Sequence, residues 1–426
     1  AGNISSANVT NVSIDCVNDT FTVGGTVSGL TGSGLVLQNN GGDNLPVTAD
    51  GNFVFGSALS DGSSYNVTVQ TQPGSPSQTC TVTNGSNNLA SSHVTNVAIN
   101  CVTDSYTVSG FADGVAGSGL VLQNNAGDNL SVTSDGIFTF STGVTDATNY
   151  TVSVLTQPSS PNQTCSLSNA SGTINSSNVS DVALDCVTTH YTVGGTVSGL
   201  NGSGLVLENN GGDDLAITAD GSFTFTTLPD GSTYAVSVGS QPNTLAQTCT
   251  VSNGNGLISG ADVTNVTINC VTDSFTVGGT VSGLSGSGLV LQNNAGDNLA
   301  VTADGSFNFS TPVVDGDAYA VSVFAQPDNL SQTCSVTAGS GNVSGENVSD
   351  VIIDCVTNTY TVGGTISGLS GTGLILENNN GDDLSVSADG SFTFATALTD
   401  GDSYLVSIQS QPGGPDQTCT VTNAIG

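Results

Sequence analysis

The sequence has no lysine, arginine, methionine or tryptophan among its 426 residues, and only two histidines. Its 34 aspartate and glutamate residues give a formal net charge of −34, although charged residues make up only 8% of the chain. Nucleic acid is excluded as a partner because lysine and arginine drive phosphate binding, and anionic lipid surfaces are disfavoured on the same ground. No membrane insertion is expected, since no run approaches the roughly 20 apolar residues of a spanning helix.

The remaining composition indicates a folded protein of an oxidising compartment. Hydrophobic residues make up 36% of the chain, and valine, isoleucine, leucine and phenylalanine alternate with threonine and serine, which disfavours disorder. Ten cysteines predict disulfides and an extracellular or cell-surface location. Zinc is disfavoured because no C-x-x-C pair occurs and His93 and His190 recur in no other part of the chain. The start at Ala1, without an initiator methionine or a signal peptide, predicts a processed protein or a fragment.

An internal repeat organises the whole chain. An aromatic-Thr-Val motif begins at positions 21, 106, 191, 275 and 360, so the period is about 85 residues, which suits a small domain. The repeat predicts an N-terminal strand over residues 1–17, a candidate donor strand for another copy. Five modules follow over residues 18–102, 103–187, 188–271, 272–356 and 357–426, and the fifth lacks its last strand.

Within each module, short alternating segments are separated by turn residues. In the first module Phe21–Ser28 and Tyr65–Gln70 alternate, and Asp50-Gly51 and Asp61-Gly62 are typical hairpin turns. No segment shows helical periodicity, and 56 glycines oppose helix formation. The predicted class is an all-β sandwich.

Three motifs carry a family resemblance. The order T-V-x-G-x-V-x-G-L, A-D-G-x-F-x-F and D-G-x-x-Y-x-V-x-V, present in Thr192–Leu200, Ala219–Phe225 and Asp230–Val238, resembles the prealbumin-like (Ig-like) modules of bacterial extracellular surface proteins. These include CnaB-type stalk domains and carboxypeptidase-regulatory-like repeats. The resemblance implies five tandem Ig-like or prealbumin-like β-sandwich modules in a string, with a stalk or spacer role. The Lys–Asn isopeptide bond of CnaB-type domains is impossible here because lysine is absent.

The cysteines alternate between gaps of 63 or 64 residues and gaps of 21 residues, which allows two pairings. Long-gap pairing would join Cys16 to Cys80 and so on along the chain. Short-gap pairing is favoured by geometry, because the cysteines would face each other across a hairpin at the Cα separation of about 5.5 Å that a disulfide prefers. It leaves Cys16 and Cys419 for a bond between subunits and predicts the pairs Cys80–Cys101, Cys165–Cys186, Cys249–Cys270 and Cys334–Cys355.

A loop rich in asparagine, aspartate and glycine recurs in every module. Its oxygen atoms could hold Ca²⁺, the one cofactor considered, although the same residues are typical of a turn and no EF-hand pattern occurs. The turn is the favoured interpretation, and no other cofactor is expected. The weak candidate ligands are Asp43, Asp128, Asp213, Asp297 and Asp382.

The favoured function is mechanical, not enzymatic. We expect a subunit or segment of an extracellular fibre or surface stalk whose partner is another copy of itself, joined when Val9–Val17 of one copy completes the last sheet of its neighbour. The other interpretation of the two ends is that they mark a cut in a longer chain of repeats. Frequent N-x-S/T sequons are consistent with surface glycans. The alternative is an adhesin stalk with glycan- or protein-binding loops, stabilised by calcium. It is disfavoured because recognition sites usually use tryptophan and exposed aromatics.

Overall fold

The structure, a computed structural model, describes residues 2–426. These residues form strands, bridges and turns, and no helix occurs among them. The all-β prediction is therefore confirmed. Consequently the described part of the chain has no helix of the length and hydropathy that a membrane span requires.

The first repeat contains ten strands, and in longer ones such as Ser64–Thr71 and Gln78–Thr83 inward and outward side chains alternate. The ten strands are β1 to β10 in chain order: Thr20–Phe21, Val23–Ser28, Leu35–Asn39, Asp43–Val47, Gly51–Val54, Leu59–Ser60, Ser64–Thr71, Gln78–Thr83, Ser86–Asn88 and Val94–Thr103.

Two four-stranded sheets and one short ribbon form in this repeat. The first sheet has the order β5-β2-β10-β8, and the second has the order β4-β3-β7-β9. The ribbon pairs β1 with β6. All pairs are antiparallel except β2 with β10, which is parallel. Inward side chains of both four-stranded sheets, such as Val23, Leu37 and Val97, pack into one core, so the repeat is a β-sandwich.

The same succession recurs in the next three repeats. In the second repeat β11 to β20 are Ser105–Tyr106, Val108–Asp113, Val121–Asn124, Asp128–Ser131, Gly136–Thr139, Val144–Thr145, Asn149–Thr156, Gln163–Ser168, Ser171–Thr173 and Val179–Thr188. In the third, β21 to β30 are His190–Tyr191, Val193–Ser198, Leu205–Asn209, Asp213–Ile217, Gly221–Thr224, Leu228–Pro229, Thr233–Ser240, Gln247–Ser252, Asn255–Leu257 and Val263–Thr272. In the fourth, β31 to β40 are Ser274–Phe275, Val277–Ser282, Val290–Asn293, Asp297–Ala300, Gly305–Asn308, Val313–Val314, Ala318–Ala325, Gln332–Thr337, Ser340–Asn342 and Val348–Thr357.

The fifth repeat has seven strands, β41 to β47: Thr359–Tyr360, Gly363–Ile366, Leu374–Asn378, Asp382–Val386, Gly390–Thr393, Leu398–Thr399 and Val406–Ser410. Its first sheet is reduced to β42 and β45, and its second sheet to β44-β43-β47. Residues 417–422, the counterpart of β8, form no strand. The reason is that the β10 counterpart, which lies between β2 and β8 in a complete repeat, is missing from this sheet.

Packing separates the chain into two compact units. One comprises the chain up to Thr192 together with Thr227–Thr233 and Leu257–Val263. The other comprises Val193–Thr226, Tyr234–Gly256 and Thr264–Gly426. The division passes through the third repeat. The module boundaries expected from the repeat length therefore stay a prediction.

The predicted single strand Phe21–Ser28 is interrupted at Thr22. The Thr22 N–H donates to the Nδ1 atom of His93 at 2.9 Å and its carbonyl accepts the Val94 N–H at 3.0 Å, so Thr22 leaves the ladder. Its two halves then pair with different strands, Phe21 with Leu59 of β6 and Gly24 with Val54 of β5.

The predicted N-terminal strand is absent from the isolated chain. Residues 2–17 form no strand, while Ala1 lies outside the described residues. Val12 and Ile14 are 73% and 83% exposed, so the segment packs against no sheet. A strand needs a hydrogen-bonding neighbour, and this segment has none among the described residues of its own chain.

Candidate functional site

Four disulfides connect cysteines that are 21 residues apart, and they follow the short-gap pairing: Cys80–Cys101, Cys165–Cys186, Cys249–Cys270 and Cys334–Cys355. Their Cα atoms are 3.9 to 4.0 Å apart, closer than the expected value of about 5.5 Å. The reason is that Cys80 and Cys101 are a non-hydrogen-bonded cross-strand pair, since the Cys80 N–H and carbonyl bond to the Gln72 side chain. Each bond joins the counterparts of β8 and β10. Cys16 and Cys419 carry free thiols, the first exposed and the second half-buried.

The candidate calcium ligands hold a loop of their own repeat. The Asp43 carboxylate accepts the Ser57 N–H at 3.1 Å, and Asp128 accepts the Thr142 N–H at 2.8 Å. Asp213, Asp297 and Asp382 make the same bond to Thr226, Thr311 and Thr396. Over residues 2–426 no group of three or more histidine, cysteine, aspartate or glutamate side chains is arranged to hold a metal ion. The contacts support the turn interpretation of this loop.

Two structural side chains were not singled out by the sequence. Gln78 is only 1% exposed, and its Oε1 atom accepts the N–H groups of Thr31 and Gly32 at 2.8 Å each. Asp50, expected only as a turn residue, also accepts the N–H groups of Gly29 and Leu30, at 3.0 and 2.7 Å. Both side chains close the loop after β2. The sequence signals that could have identified Gln78 and Asp50 are the recurring Q-T-C and A-D-G motifs.

Consecutive repeats meet without a flexible linker. β10 ends at Thr103 and β11 begins at Ser105, so one residue separates the sheets of the first and second repeats. Across this junction the Asp146 carboxylate accepts the backbone N–H of Ser77 at 2.6 Å. The same carboxylate accepts the Ser176 N–H of its own repeat at 2.7 Å. We call this arrangement the aspartate clamp.

The bond of the aspartate clamp to the preceding repeat recurs at every junction, and Asp230 and Asp315 also keep the bond to an N–H of their own repeat, donated by Gly260 and Gly345. Asp230, Asp315 and Asp400 each accept, at 2.6 Å, one backbone N–H from the preceding repeat, donated by Asn162, Ala246 and Ser331 respectively. The clamp aspartates belong to the second Asp-Gly turn of the repeat, or to its Asp-Ala variant at Asp146-Ala147.

Electrostatics keep the clamps ionised. The pKa of Asp146 is lowered, chiefly by the Ser77 N–H and next by the Ser176 N–H. The pKa values of Asp230 and Asp315 are lowered in the same way, first by the N–H groups of Asn162 and Ala246. A carboxylate that accepts several N–H bonds is stabilised in its charged form. These three clamp aspartates are therefore ionised at neutral pH.

A second contact at the junction involves the side chain next to the clamp. The Ser77 hydroxyl donates to the Asp104 carboxylate at 2.6 Å, while the Asp104 N–H donates to the Ser77 carbonyl at 3.0 Å. The residues at these two positions in the later junctions are Asn162 with Thr189, Ala246 with Asp273 and Ser331 with Asn358. None of these four junctions places two acidic residues at the two positions.

The open first sheet of the fifth repeat forms a groove of about 920 Å³. Apolar side chains and a thiol line it: Val362, Ile366, Phe392, Cys419 and Val421. Cys419 is half-buried, whereas its counterpart Cys80 is 4% exposed. The groove lies where β10 lies in the first repeat.

β10 shows what a complete repeat places there. Its Val97, Ile99 and Cys101 are at most 5% exposed and face the core. Its parallel pairing with β2 is so close that a Cβ atom built on Gly25 would lie 1.8 Å from the Val97 carbonyl oxygen. Only glycine fits at that contact. The fifth repeat keeps this glycine as Gly364, where the nearest atoms belong to the Phe392 ring at 3.0 Å.

The exposed N-terminal segment has the sequence of the missing strand. Residues 9–17 are V-T-N-V-S-I-D-C-V, and residues 94–102 of β10 are V-T-N-V-A-I-N-C-V. Seven of the nine positions are identical. Val12, Ile14 and Cys16 therefore occupy the positions of Val97, Ile99 and Cys101. The chain carries both an open groove and a segment with the sequence to fill it.

The fold and these surfaces define a tandem array of β-sandwich repeats with clamped junctions, in which the fifth repeat of this chain has an open groove. No protein-family model matches the chain, and no curated protein sequence matches it. Among solved structures it is similar to the Bacillus anthracis TIE protein, at 11% identity over 79% of this chain and 69% of that one, with a TM-score of 0.39.

Two further solved structures have lower TM-scores. The pilus adhesin SpaC of Lactobacillus rhamnosus GG is 11% identical over 67% of this chain, which spans 53% of the adhesin, with a TM-score of 0.19. Streptococcal SHIRT domains 3–4 of a cell surface protein are 18% identical over 39% of this chain and 98% of theirs, with a TM-score of 0.16. At such TM-scores these likenesses carry no argument about function.

Proposed function

We propose that this protein is a non-enzymatic structural subunit of an extracellular filament or stalk, in which copies join end to end by strand sharing. Residues 9–17 of one copy enter the groove of the fifth repeat of the next copy as the strand that corresponds to β10. The observation that carries the proposal is the match between this exposed segment and the strand that the groove lacks.

Burial provides the driving force. Val12 and Ile14 are 73% and 83% exposed, and their counterparts in β10 are at most 1% exposed. Full burial of each such side chain contributes roughly 1.5–3 kcal/mol. The inserted strand also pairs with the backbone of β42 and of residues 417–422. Each of these hydrogen bonds adds about 0.5–1.5 kcal/mol net.

A covalent bond completes the joint in this proposal. Cys16 of one copy takes the place of Cys101 and Cys419 of the neighbour takes the place of Cys80, whose sulfur atoms are 2.03 Å apart in the first repeat. The bond needs an external oxidant, such as oxygen or a disulfide exchange partner, which accepts the two electrons and two protons of the thiols. This requirement agrees with an extracellular location.

The test uses two forms of the chain. The full chain should form filaments in electron micrographs. A form without residues 1–17 should sediment as a monomer and stay folded, since residues 2–17 form no strand and are exposed in the single chain. A synthetic peptide of residues 7–18, with Cys16 replaced by serine, should bind the truncated form. The same peptide with Val12→Asp and Ile14→Asp is the control and should not bind.

Filaments formed by the truncated chain would refute strand sharing. So would equal binding of the two peptides, because burial of Val12 and Ile14 is the proposed source of affinity.

A further inference from the structure

We infer that the joint between copies also contains an aspartate clamp, in which Asp61 of one copy accepts the backbone N–H of Asp416 of the next. The same joint brings two carboxylates face to face, Asp19 of the first copy and Asp416 of the next, which no junction within the chain does. The joint should therefore be tighter in mild acid than at neutral pH. This inference rests on the proposed strand sharing, which it extends from the groove to the polar contacts beside it.

The first part follows from the clamps between repeats. Asp61 occupies the clamp position of the first repeat and accepts the N–H and O–H of Ser91 at 2.8 and 3.1 Å. In the second repeat Asp146 makes the corresponding bonds to Ser176 and one more, to Ser77 of the preceding repeat. Asp416 stands one residue before the Q-T-C motif of the fifth repeat, as Ser77 does in the first. The Asp416 N–H is therefore the donor that matches Asp61.

The second part follows from the side chains at the same junctions. Ser77 donates its hydroxyl to Asp104 at 2.6 Å, and Asn358 donates its amide to Ser331 at 2.7 Å. Each of these pairs includes a donor. At the joint between copies the corresponding residues are Asp416 and Asp19, which are both exposed in the single chain. Two ionised carboxylates offer no donor, and they repel each other when they are as close as the corresponding pairs, at 2.6 to 2.7 Å.

The other titratable groups near this joint either bond to the backbone of their own repeat or lie within the donor segment, away from the two carboxylates. His93 binds the backbone of Thr22 through Nδ1 at 2.9 Å. Asp389 accepts the N–H groups of Gly368 and Leu369 at 2.8 and 2.7 Å. Asp15 lies within the donor segment at the position of Asn100, which borders Ser28 rather than the junction. Thr418, the counterpart of the Thr79 that donates its hydroxyl to Asp104 at 2.8 Å, can donate to Asp19, but it carries no charge. The two facing carboxylates therefore keep no positively charged partner.

The direction of the pH effect follows from two opposed changes. Two carboxylates that face each other resist being ionised together, so at low pH the pair holds one shared proton and stays in contact. At higher pH this proton is lost and the two charges repel each other. The repulsion is relieved as the pH falls towards the ordinary aspartate value of about 3.9. Asp61 behaves oppositely, since the N–H and O–H of Ser91 lower its pKa and the clamp is lost only at still lower pH. The joint should be strongest between these two limits.

The experiment measures the critical concentration for filament formation of the full chain. Cys16→Ser and Cys419→Ser are included so that the joint stays reversible. Asp416→Ser restores the donor found at Ser77, and it should lower the critical concentration at pH 7 about fivefold, the size expected for one relieved like-charge contact. The difference from the parent should shrink below about pH 5 and should be largely lost once the pH falls below the ordinary aspartate value of about 3.9. Asp214→Ser, which removes one exposed carboxylate in the third repeat, is the matched control for net charge.

Equal critical concentrations for the parent and Asp416→Ser at pH 7, with filaments present in both, would overturn the inference and leave strand sharing intact. A gain of the same size in Asp214→Ser would also overturn it, because net charge would then be the cause. If no form assembles at any pH, strand sharing itself fails and the inference fails with it.

Discussion

Gly364→Ala should block assembly while leaving the single chain folded. In the four complete repeats the counterparts of this glycine lie against the strand corresponding to β10. A Cβ atom on Gly25, Gly110, Gly195 or Gly279 would lie 1.7 to 1.9 Å from a carbonyl oxygen of that strand. In the fifth repeat a Cβ on Gly364 meets only the edge of the Phe392 ring, at 3.0 and 3.1 Å, and a half-buried ring can shift by a few tenths of an ångström.

The magnitude follows from the distance. The distance from the new Cβ atom to the carbonyl oxygen of the incoming strand would have to grow from 1.8 Å to the 3.4 Å of an ordinary contact. The incoming strand would therefore have to move by about 1.6 Å. Such a displacement stretches neighbouring N–H···O bonds beyond hydrogen-bonding distance. Loss of two or three of these bonds, at about 0.5–1.5 kcal/mol each, costs about 3 kcal/mol. The peptide of residues 7–18 should therefore bind the variant about 100-fold more weakly.

The assay compares calorimetric titrations of truncated chains that carry Gly364→Ala or Gly381→Ala. Gly381 has no atom within 4 Å of a built Cβ and lies outside the groove, so it is the matched control. Melting temperatures of both variants should stay within about 2 °C of the parent, because neither glycine has a positive φ. Undiminished peptide binding by the Gly364→Ala variant would refute the proposed position of the strand.

Three further changes test the repeats and their junctions. Replacement of Cys165 and Cys186 by serine opens a loop closed by residues 21 apart in sequence, and should destabilise that repeat by about 3 kcal/mol in chemical denaturation followed by circular dichroism; an unchanged midpoint would contradict a stabilising role. In the folded chain the pKa of Asp315 is lowered from 3.8, first by the Ala246 N–H. The ionised Asp315 therefore stabilises the fold above pH 3.8, and this stabilisation is lost as the pH falls through the lower pKa of the folded state. Melting temperatures measured between about pH 5 and 2.5 bracket the ordinary aspartate pKa of about 3.9. Over this range the melting temperature should fall less for Asp315→Asn than for the parent. Parallel curves of melting temperature against pH would argue against the clamp. EDTA should leave the melting temperature unchanged, because Asp43 and its counterparts bond to their own loop; a drop of several degrees would indicate a bound cation.

The local pattern of this chain determined its class and its repeats. Alternation of apolar and polar residues, with glycine and aspartate at the turns, was enough to predict the all-β class, because side chains of a strand alternate between two faces. The spacing of 21 residues between cysteines favoured the pairing that the structure contains. Both signals lie within one hairpin or one strand, where sequence separation and spatial distance are closely linked.

Contacts between distant segments were decided only by the tertiary structure. Asp50-Gly51 and Asp61-Gly62 are the same dipeptide in sequence, yet Asp50 closes a loop of its own repeat, whereas the counterparts of Asp61 clamp the preceding one. The parallel pairing of β2 with β10 and the short strands β6 and β9 were not predicted either. Residues 9–17 and 94–102 differ at only two positions, but the latter lie in a strand and the former do not. The reason is that a strand is stabilised by the backbone beside it, and that neighbour is set by the fold rather than by the strand's own residues.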